Sequence, residues 1–197
     1  MRAGTRRETV AGPAGRIECA VDEPSGSPRG VALIAHPHPL FGGTLDNKVV
    51  QTLARAFVEL GYAAWRPNFR GVGESEGRHD EGHGEVDDLA AVLAHAKAAK
   101  PVLAGFSFGA AMAAKLAARV QCERVVLVGT AVTNQAVPAV PAGTLVIHGE
   151  ADLTIPLAAV LDWARPQELA VLVLPGADHF FHRKLPALKL AVTANWK

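Results

Sequence analysis

A serine lies between two glycines in the segment GFSFG at residues 105–109. The segment ends the apolar run PVLAGF and opens an alanine-rich one, so Ser107 falls where a strand would turn sharply into a helix. Backbones approach closely in such a turn, which accounts for the glycines. Ser107 would be exposed at the tip, with the backbone N–H of Phe108 aimed at a developing oxyanion. The segment therefore predicts a nucleophilic serine.

A serine hydroxyl is a weak nucleophile and needs a general base, which in turn needs an acid to orient it. Asp152 follows the apolar run TLVIHG, and His179 follows the next run, LAVLVLP. The chain order Ser107, Asp152, His179 is one that strand–helix folds use for nucleophile, acid and base. Glu150 as the acid and His182 as the base are the alternatives.

Elements that could position these residues alternate along the chain. Near-continuously apolar runs, typical of strands covered on both faces, occur at 31–36, 62–67, 101–106, 124–129, 144–149 and 169–175. Segments with helical length and periodicity lie between them, at 47–61, 85–100 and 108–120. This alternation predicts an α/β fold with a mostly parallel sheet flanked by helices. Residues 1–24 instead predict a hairpin at the sheet edge, within one domain spanning 1–197.

Composition narrows the classes of partner. The chain has 197 residues, is 49% hydrophobic, and carries 20 Lys+Arg against 19 Asp+Glu. A net charge of +1 without a dense basic block argues against a nucleic-acid partner. Apolar runs are too short to span a membrane, and no signal-peptide core follows the N-terminus, so we expect a cytoplasmic protein. Cys19 and Cys122 form no paired motif, and the oligomeric state is left open.

The motifs GFSFG, HGEADLTIP and GADHFF resemble the nucleophile, acid and histidine motifs of the α/β-hydrolase superfamily. More narrowly, AHPHPLFGGTLDNKVV, RPNFRGVGESEG and HDEGHGEVDD resemble a family of small bacterial α/β-hydrolases. The resemblance covers about residues 31–181. It implies a single-domain α/β-hydrolase fold, an uncapped core and the Ser-Asp-His triad, and it carries no known substrate.

The resemblance also implies that the loop after the first parallel strand supplies a second oxyanion-hole donor. This loop is AHPHPLFGG, in which Pro37 and Pro39 have no N–H to donate. The backbone N–H of His38 therefore fits best, with that of Leu40 as the alternative.

Many hydrolases of this fold insert a lid after the strand that follows the nucleophile helix. Here RVVLVG and TLVIHG are joined only by TAVTNQAVPAVPAG, which is too short for a lid domain. We therefore expect an open, shallow pocket for a small acyl substrate, walled by Leu40, Phe41, Phe106, Phe108 and Phe180.

The segment GRHDEGHGEVDD concentrates side chains that can bind a divalent metal: His79, Asp80, His83, Glu85 and Asp87. Glycines at 82 and 84 interrupt the helix face that would bring the two histidines together. We interpret the segment as a loop that rims the pocket and caps the next helix. His36 and His38, spaced two apart on an extended segment, have no carboxylate or thiol close by in sequence, so no metal site is predicted there either.

These observations predict a serine hydrolase that needs no cofactor, in the simplest case a carboxylesterase acting on small acyl esters. A peptidase or a thioesterase could use the same three residues. A non-catalytic binding module on this fold, and a metal-dependent hydrolase centred on His79 and His83, are the alternatives from other classes.

Overall fold

The computed structural model describes residues 4–196, in which eight strands form one sheet. The strands are β1 (Thr5–Gly12), β2 (Gly15–Asp22), β3 (Val31–Ala35), β4 (Ala63–Pro67), β5 (Val102–Phe106), β6 (Arg124–Val128), β7 (Leu145–Gly149) and β8 (Val171–Leu174). Their order across the sheet is β1-β2-β4-β3-β5-β6-β7-β8. The pairs β1/β2 and β2/β4 are antiparallel, and all other neighbours are parallel.

Five α-helices pack against the sheet within the described residues: α1 (Lys48–Glu59), α2 (His83–His95), α3 (Phe108–Ala117), α4 (Leu157–Ala164) and α5 (Leu185–Ala194). Short 3-10 turns add Pro39–Phe41 and Arg165–Gln167. Between residues 4 and 196, no helix combines the length and the apolar composition that crossing a bilayer requires.

The sheet is covered on both faces, as its near-continuously apolar strands require. Alternate residues of each strand point to opposite sides, so Leu33 packs with α2 and α3 while Ile34 packs with α1 and α5. A third, smaller cluster joins Val146 of β7 to Val160 of α4. The central strands β3, β5 and β6 are therefore almost entirely buried, and only the first residues of β3 and β6, at their amino ends, are partly exposed.

The antiparallel edge is formed by the first two strands. Their register runs from Thr5 opposite Asp22 to Gly12 opposite Gly15, and β2 then pairs with β4. Residues 1–3 of the predicted hairpin segment, and Lys197 at the other end of the predicted domain, lie outside the described residues.

The predicted fold class is confirmed, since a mostly parallel sheet lies between layers of helices in one domain. The expected absence of a lid is confirmed as well, because residues 129–144 between β6 and β7 form neither helix nor strand. Helix α2 differs from its predicted span of 85–100. It begins at His83, because Glu85 accepts the backbone N–H of Gly82, and it ends at His95, shortly before Lys97 adopts a left-handed φ of 52°.

Two backbone segments approach each other closely at the carboxyl edge of the sheet. Gly149 ends β7, and a Cβ at this position would lie 2.4 Å from the carbonyl oxygen of Ala177 and 3.0 Å from that of Asp178. The loop after β8 is bound at the same place, because Ala151 N–H donates to Ala177 O at 2.9 Å. The loops that follow β7 and β8 are thus held against each other through their backbones.

Gly149→Ala is expected to destabilise the protein by about 1–3 kcal/mol, because the new methyl group meets backbone atoms that cannot rotate away. Urea unfolding gives the free-energy difference. Gly143→Ala is the matched control, since no atom lies within 4 Å of its Cβ position. Equal losses in the two variants would show that the loops do not need this close approach.

Candidate active site

Ser107 lies at the turn between β5 and α3 in a conformation that is rare for a residue with a side chain. Its φ is 57° and its ψ is −117°. A Cβ on Gly105 would lie 2.2 Å from Gly109 O, and one on Gly109 would lie 2.2 Å from Ala35 O. The turn is held in place because Ser107 N–H donates to Val128 O at 2.9 Å. The two glycines are therefore required by backbone packing, and the serine carries the strain of the turn.

The structure brings the three predicted catalytic residues together. His179 Nε2 lies 3.1 Å from Ser107 Oγ, and His179 Nδ1 lies 2.7 Å from Asp152 Oδ2. Each residue follows the carboxyl end of a different strand, β5, β7 or β8, and all three are buried, with exposures of 4–9%. Because a carboxylate only accepts, Nδ1 carries the hydrogen, and Nε2 is left to accept from the serine hydroxyl.

Asp152 is held as an anion by several donors. Its Oδ1 accepts the backbone N–H groups of Thr154 at 2.9 Å and Ile155 at 2.8 Å, while Oδ2 accepts from His179. Burial alone would raise the pKa of Asp152, but the hydrogen bonds from His179 and Ile155 outweigh it and lower that pKa below the ordinary aspartate value. The acid position therefore remains ionised at neutral pH.

The two alternative residues have other partners. Glu150 Oε2 accepts the backbone N–H of Gly176 at 2.9 Å, which ties the loop after β8 to the loop after β7. His182 is exposed, and its Nδ1 lies 2.7 Å from Asp178 Oδ2. This hydrogen bond from His182 lowers the pKa of Asp178. Neither alternative is hydrogen-bonded to Ser107 or His179.

The two predicted oxyanion donors are the backbone N–H groups of His38 and Phe108. Neither makes a hydrogen bond to any other group in residues 4–196. Leu40, the alternative, donates its N–H to His38 Nδ1 at 3.3 Å. The geometry therefore leaves two donors available, on the loop after β3 and at the N-terminus of α3.

A cavity of about 170 Å³ opens beside Ser107. Its lining consists of Pro37, His38, Phe41, Gly42, Gly43, Asn47, Ser107, Thr154, His179 and Phe180. Phe41 and Phe180, two of the predicted wall residues, are among them. Both are well exposed, at 86% and 49%, so the cavity is open to solvent at this side.

The other predicted wall residues require correction. Phe106 is the last residue of β5 and points into the sheet core, where it is fully buried beneath His179, with ring centroids 4.9 Å apart. Phe108 is buried as well, on the inner side of α3. Leu40 lines a different cavity, next to Arg70, because successive residues of a 3-10 turn point about 120° apart.

The acidic and histidine-rich segment contributes to helix capping. Glu85 is fully buried, and its carboxylate accepts the backbone N–H groups of Asp80 and Gly82, each at 2.8 Å. His79 Nδ1 lies 2.9 Å from Glu85 Oε1 without the alignment of a hydrogen bond, and His83 begins α2. Across residues 4–196, no group of three or more His, Cys, Asp or Glu side chains is arranged to hold a metal ion.

His36, which the sequence left without a role, fixes the loop that carries His38. Its Nε2 accepts the backbone N–H of Phe69 at 3.0 Å, so Nδ1 carries the hydrogen and donates to Pro37 O at 2.6 Å. Burial lowers the pKa of His36 to about 4, which keeps the ring neutral. The proposed oxyanion loop is thus tied to the end of β4 by an uncharged imidazole.

His148 fixes the turn that carries Asp152, as His36 fixes the loop that carries His38. Its Nε2 lies 2.9 Å from Ile155 O and 3.5 Å from Asp152 Oδ2, and the side chain is fully buried. A carbonyl only accepts, so Nε2 carries the hydrogen. Burial lowers the pKa of His148 although Ile155 O and Asp152 favour its charged form. The turn that holds the Asp152 carboxylate is therefore fastened to β7 by a neutral histidine.

Comparison with known proteins assigns the class. A family model described as the alpha/beta hydrolase fold matches residues 38–143. A crystal structure from Xanthomonas campestris, described as an a/b serine hydrolase without lid, shares 37% identity over 97% of this chain and 93% of that one, with a TM-score of 0.90. An alpha-beta serine hydrolase homologue from Coxiella burnetii shares 37% identity over 98% of this chain and 97% of that one, with a TM-score of 0.87.

An uncharacterized protein of Rickettsia prowazekii (strain Madrid E) is 42% identical over 113 residues, or 55% of this chain. The match spans only about half of that protein, 48% of its length. The family model and the two structures nevertheless cover most of the present chain. The protein belongs to the α/β-hydrolase family, and its fold is that of a hydrolase without a lid.

His148→Phe is expected to lower the free energy of unfolding by about 1–3 kcal/mol, because it leaves the buried Ile155 carbonyl without a donor. It should also reduce kcat on p-nitrophenyl acetate, by roughly tenfold to a hundredfold, because the turn that positions Asp152 loses its anchor on β7. His148→Gln, which retains a donor at the Nε2 position, should recover part of both losses. Full activity and stability in the phenylalanine variant would contradict this role.

Proposed function

We propose that this protein is a serine hydrolase that cleaves small carboxylic esters with Ser107, His179 and Asp152. The observation that carries the proposal is the continuous hydrogen-bonded line from Asp152 through His179 to Ser107 Oγ, at the wall of a cavity. Such a line is the arrangement that activates a serine for acyl transfer. The membership in the α/β-hydrolase family supports it.

In the first half of the reaction, Ser107 Oγ attacks the ester carbonyl while its proton passes to His179 Nε2. The imidazolium that forms is stabilised by the Asp152 carboxylate 2.7 Å from Nδ1. The tetrahedral intermediate then collapses, the bond from carbon to the alcohol oxygen breaks, and His179 returns the proton to the leaving alcohol. The acyl group remains on Ser107.

The charge that develops on the carbonyl oxygen needs donors placed before the reaction. The backbone N–H groups of Phe108 and His38 serve this purpose in our proposal. Phe108 lies in the first turn of α3, where the helix dipole adds positive potential. His38 is held by the loop that His36 ties to β4.

In the second half, a water molecule attacks the acyl-serine while His179 takes its proton. The intermediate collapses to the carboxylic acid, and the proton returns to Ser107 Oγ. Because the cavity is open to solvent beside Phe41 and Phe180, water can reach the acyl carbon without a conformational change. The same three residues could act on a thioester or an amide, and the leaving group decides between them.

Labelling with a fluorophosphonate probe should modify Ser107, because its Oγ faces a base. Ser75 offers a control within the chain: it is buried, and its Oγ accepts from Glu18 N–H and donates to Asn68 O. Ser107→Ala should abolish labelling and reduce ester turnover by roughly 10⁴-fold or more. Mass spectrometry of the labelled peptide and turnover of p-nitrophenyl butyrate are the measurements. Unchanged turnover in Ser107→Ala would overturn the proposal.

Substrate length should have an early optimum. Each buried methylene adds about 0.8 kcal/mol, close to fourfold in kcat/KM. A cavity of about 170 Å³ without a lid can enclose only a short chain. We therefore expect kcat/KM for p-nitrophenyl esters to rise from acetate to about butyrate or hexanoate and to be flat or falling by dodecanoate. The series is measured below micelle-forming concentrations, and a continued rise to dodecanoate would contradict the expectation.

A further inference from the structure

The cavity beside Ser107 has two chemically different walls. Phe41 and Phe180 supply aromatic surface, whereas Asn47 and Thr154 supply polar side chains. The proposed reaction uses neither Asn47 nor the Thr154 hydroxyl. Polar groups at the wall of a small site are the features that usually select the substrate.

The orientation of the Asn47 amide is fixed by its role as the N-cap of α1. Its Oδ1 accepts the backbone N–H groups of Val49 at 2.9 Å and Val50 at 3.4 Å. Backbone N–H groups only donate, so the oxygen must face the helix and the NH₂ group must point away from it. Within residues 4–196 this NH₂ group makes no hydrogen bond. Two amide donors of a cavity-lining residue are thus left for another molecule.

The other residues that line the cavity indicate which kind of acceptor group the Asn47 NH₂ group would bind. No Lys or Arg is among the residues that line the cavity, and Asp152 is held as an anion behind His179. Burial and the neighbouring His79 lower the pKa of His38, so this ring is neutral as well. A carboxylate would lose part of its hydration here without gaining a counter-charge. Neutral acceptor oxygens, such as those of an ether, a hydroxyl or a ketone, lose less on leaving water, and one N–H donor can compensate that loss.

We propose that Asn47 is a specificity residue, whose Nδ2 hydrogens donate to a neutral acceptor oxygen that the ester carries outside its reacting group. The preferred substrates are then oxygen-bearing short esters in place of plain alkyl esters of the same size. This inference rests on the proposed esterase function. It assigns to one side chain both the cap of α1 and the recognition of substrate.

The test uses pairs of esters that differ by one CH₂-to-O exchange. On the acyl side the pair is p-nitrophenyl butyrate and p-nitrophenyl methoxyacetate. On the alcohol side it is butyl acetate and 2-methoxyethyl acetate. The readout is the ratio of kcat/KM within each pair, and it is compared between variants and the wild type, so that differences in intrinsic ester reactivity cancel.

Two variants preserve the helix cap while changing the donors. Asn47→Ser caps α1 but has no NH₂ group, and Asn47→Asp caps α1 while replacing the donors with an acceptor oxygen. In at least one pair, the ratio of the oxygenated ester to its alkyl partner should fall about threefold to tenfold in Asn47→Ser, and further in Asn47→Asp. Lys48→Ala is the control, since Lys48 is exposed and does not line the cavity. Melting temperatures verify that the cap is intact.

Failure of this proposal is distinct from failure of the esterase function. If wild-type turnover depends on Ser107 but both ratios are the same in all variants, Asn47 does not select the substrate and this inference is overturned. If Ser107→Ala turns over butyrate as fast as the wild type, the esterase function is wrong, and this inference falls with it. A fall in one ratio that Lys48→Ala reproduces would also overturn it.

Discussion

A carboxylate that is withdrawn from water must be compensated by hydrogen-bond donors, and the site of this protein is organised around that requirement. Asp152 is 4% exposed, and its two oxygens accept from Thr154 N–H, Ile155 N–H and His179 Nδ1. The donors come from two different loops, one after β7 and one after β8. Keeping this one charge buried therefore forces the two loops to meet, and their meeting brings His179 to Ser107.

Burial also leaves two more histidines beside the site uncharged. It lowers the pKa of His148 although the nearby Asp152 carboxylate favours the charged ring, so no second cation competes with the imidazolium of the proposed reaction. His36 is neutral for the same physical reason on the opposite side of the site. His36 links the loop after β3 to the end of β4, and His148 links the loop after β7 to that strand, each ring in a single tautomer. Rigidity around the reacting atoms is thus obtained without adding charge.

Sequence reasoning reached the strand–helix alternation and the order of Ser107, Asp152 and His179 because each of these residues lies within four positions of the end of an apolar run. Such signals depend only on neighbouring residues in the sequence, so they can be recognised without a structure. Helices α4 and α5 were not predicted. Each has ten residues or fewer and begins without a side-chain cap, so few signals in the sequence mark its boundaries.

The directions in which side chains point also could not be predicted from the sequence. Phe106 and Leu40 are both close to the site in sequence. Phe106, at the end of β5, is buried in the core, whereas Leu40, in the middle of the 3-10 turn, is exposed and lines a different cavity. The bonds of His36 and His148 join residues 33 and 7 positions apart across loop and strand ends. Such pairs become visible only when the loop conformations are known.

Asn47 shows how one requirement of the fold can restrict the chemistry of the site. The N-terminus of α1 has backbone N–H groups without partners inside the helix, so a capping oxygen is needed there. Ser, Thr, Asp or Asn would satisfy the helix, but only asparagine does so while presenting two further hydrogens on the atom opposite the capping oxygen. Since α1 begins directly after the loop that carries His38, its cap borders the cavity of Ser107. Several residues could cap α1 equally well, so in our proposal the choice of asparagine among them is set by the substrate and not by the fold.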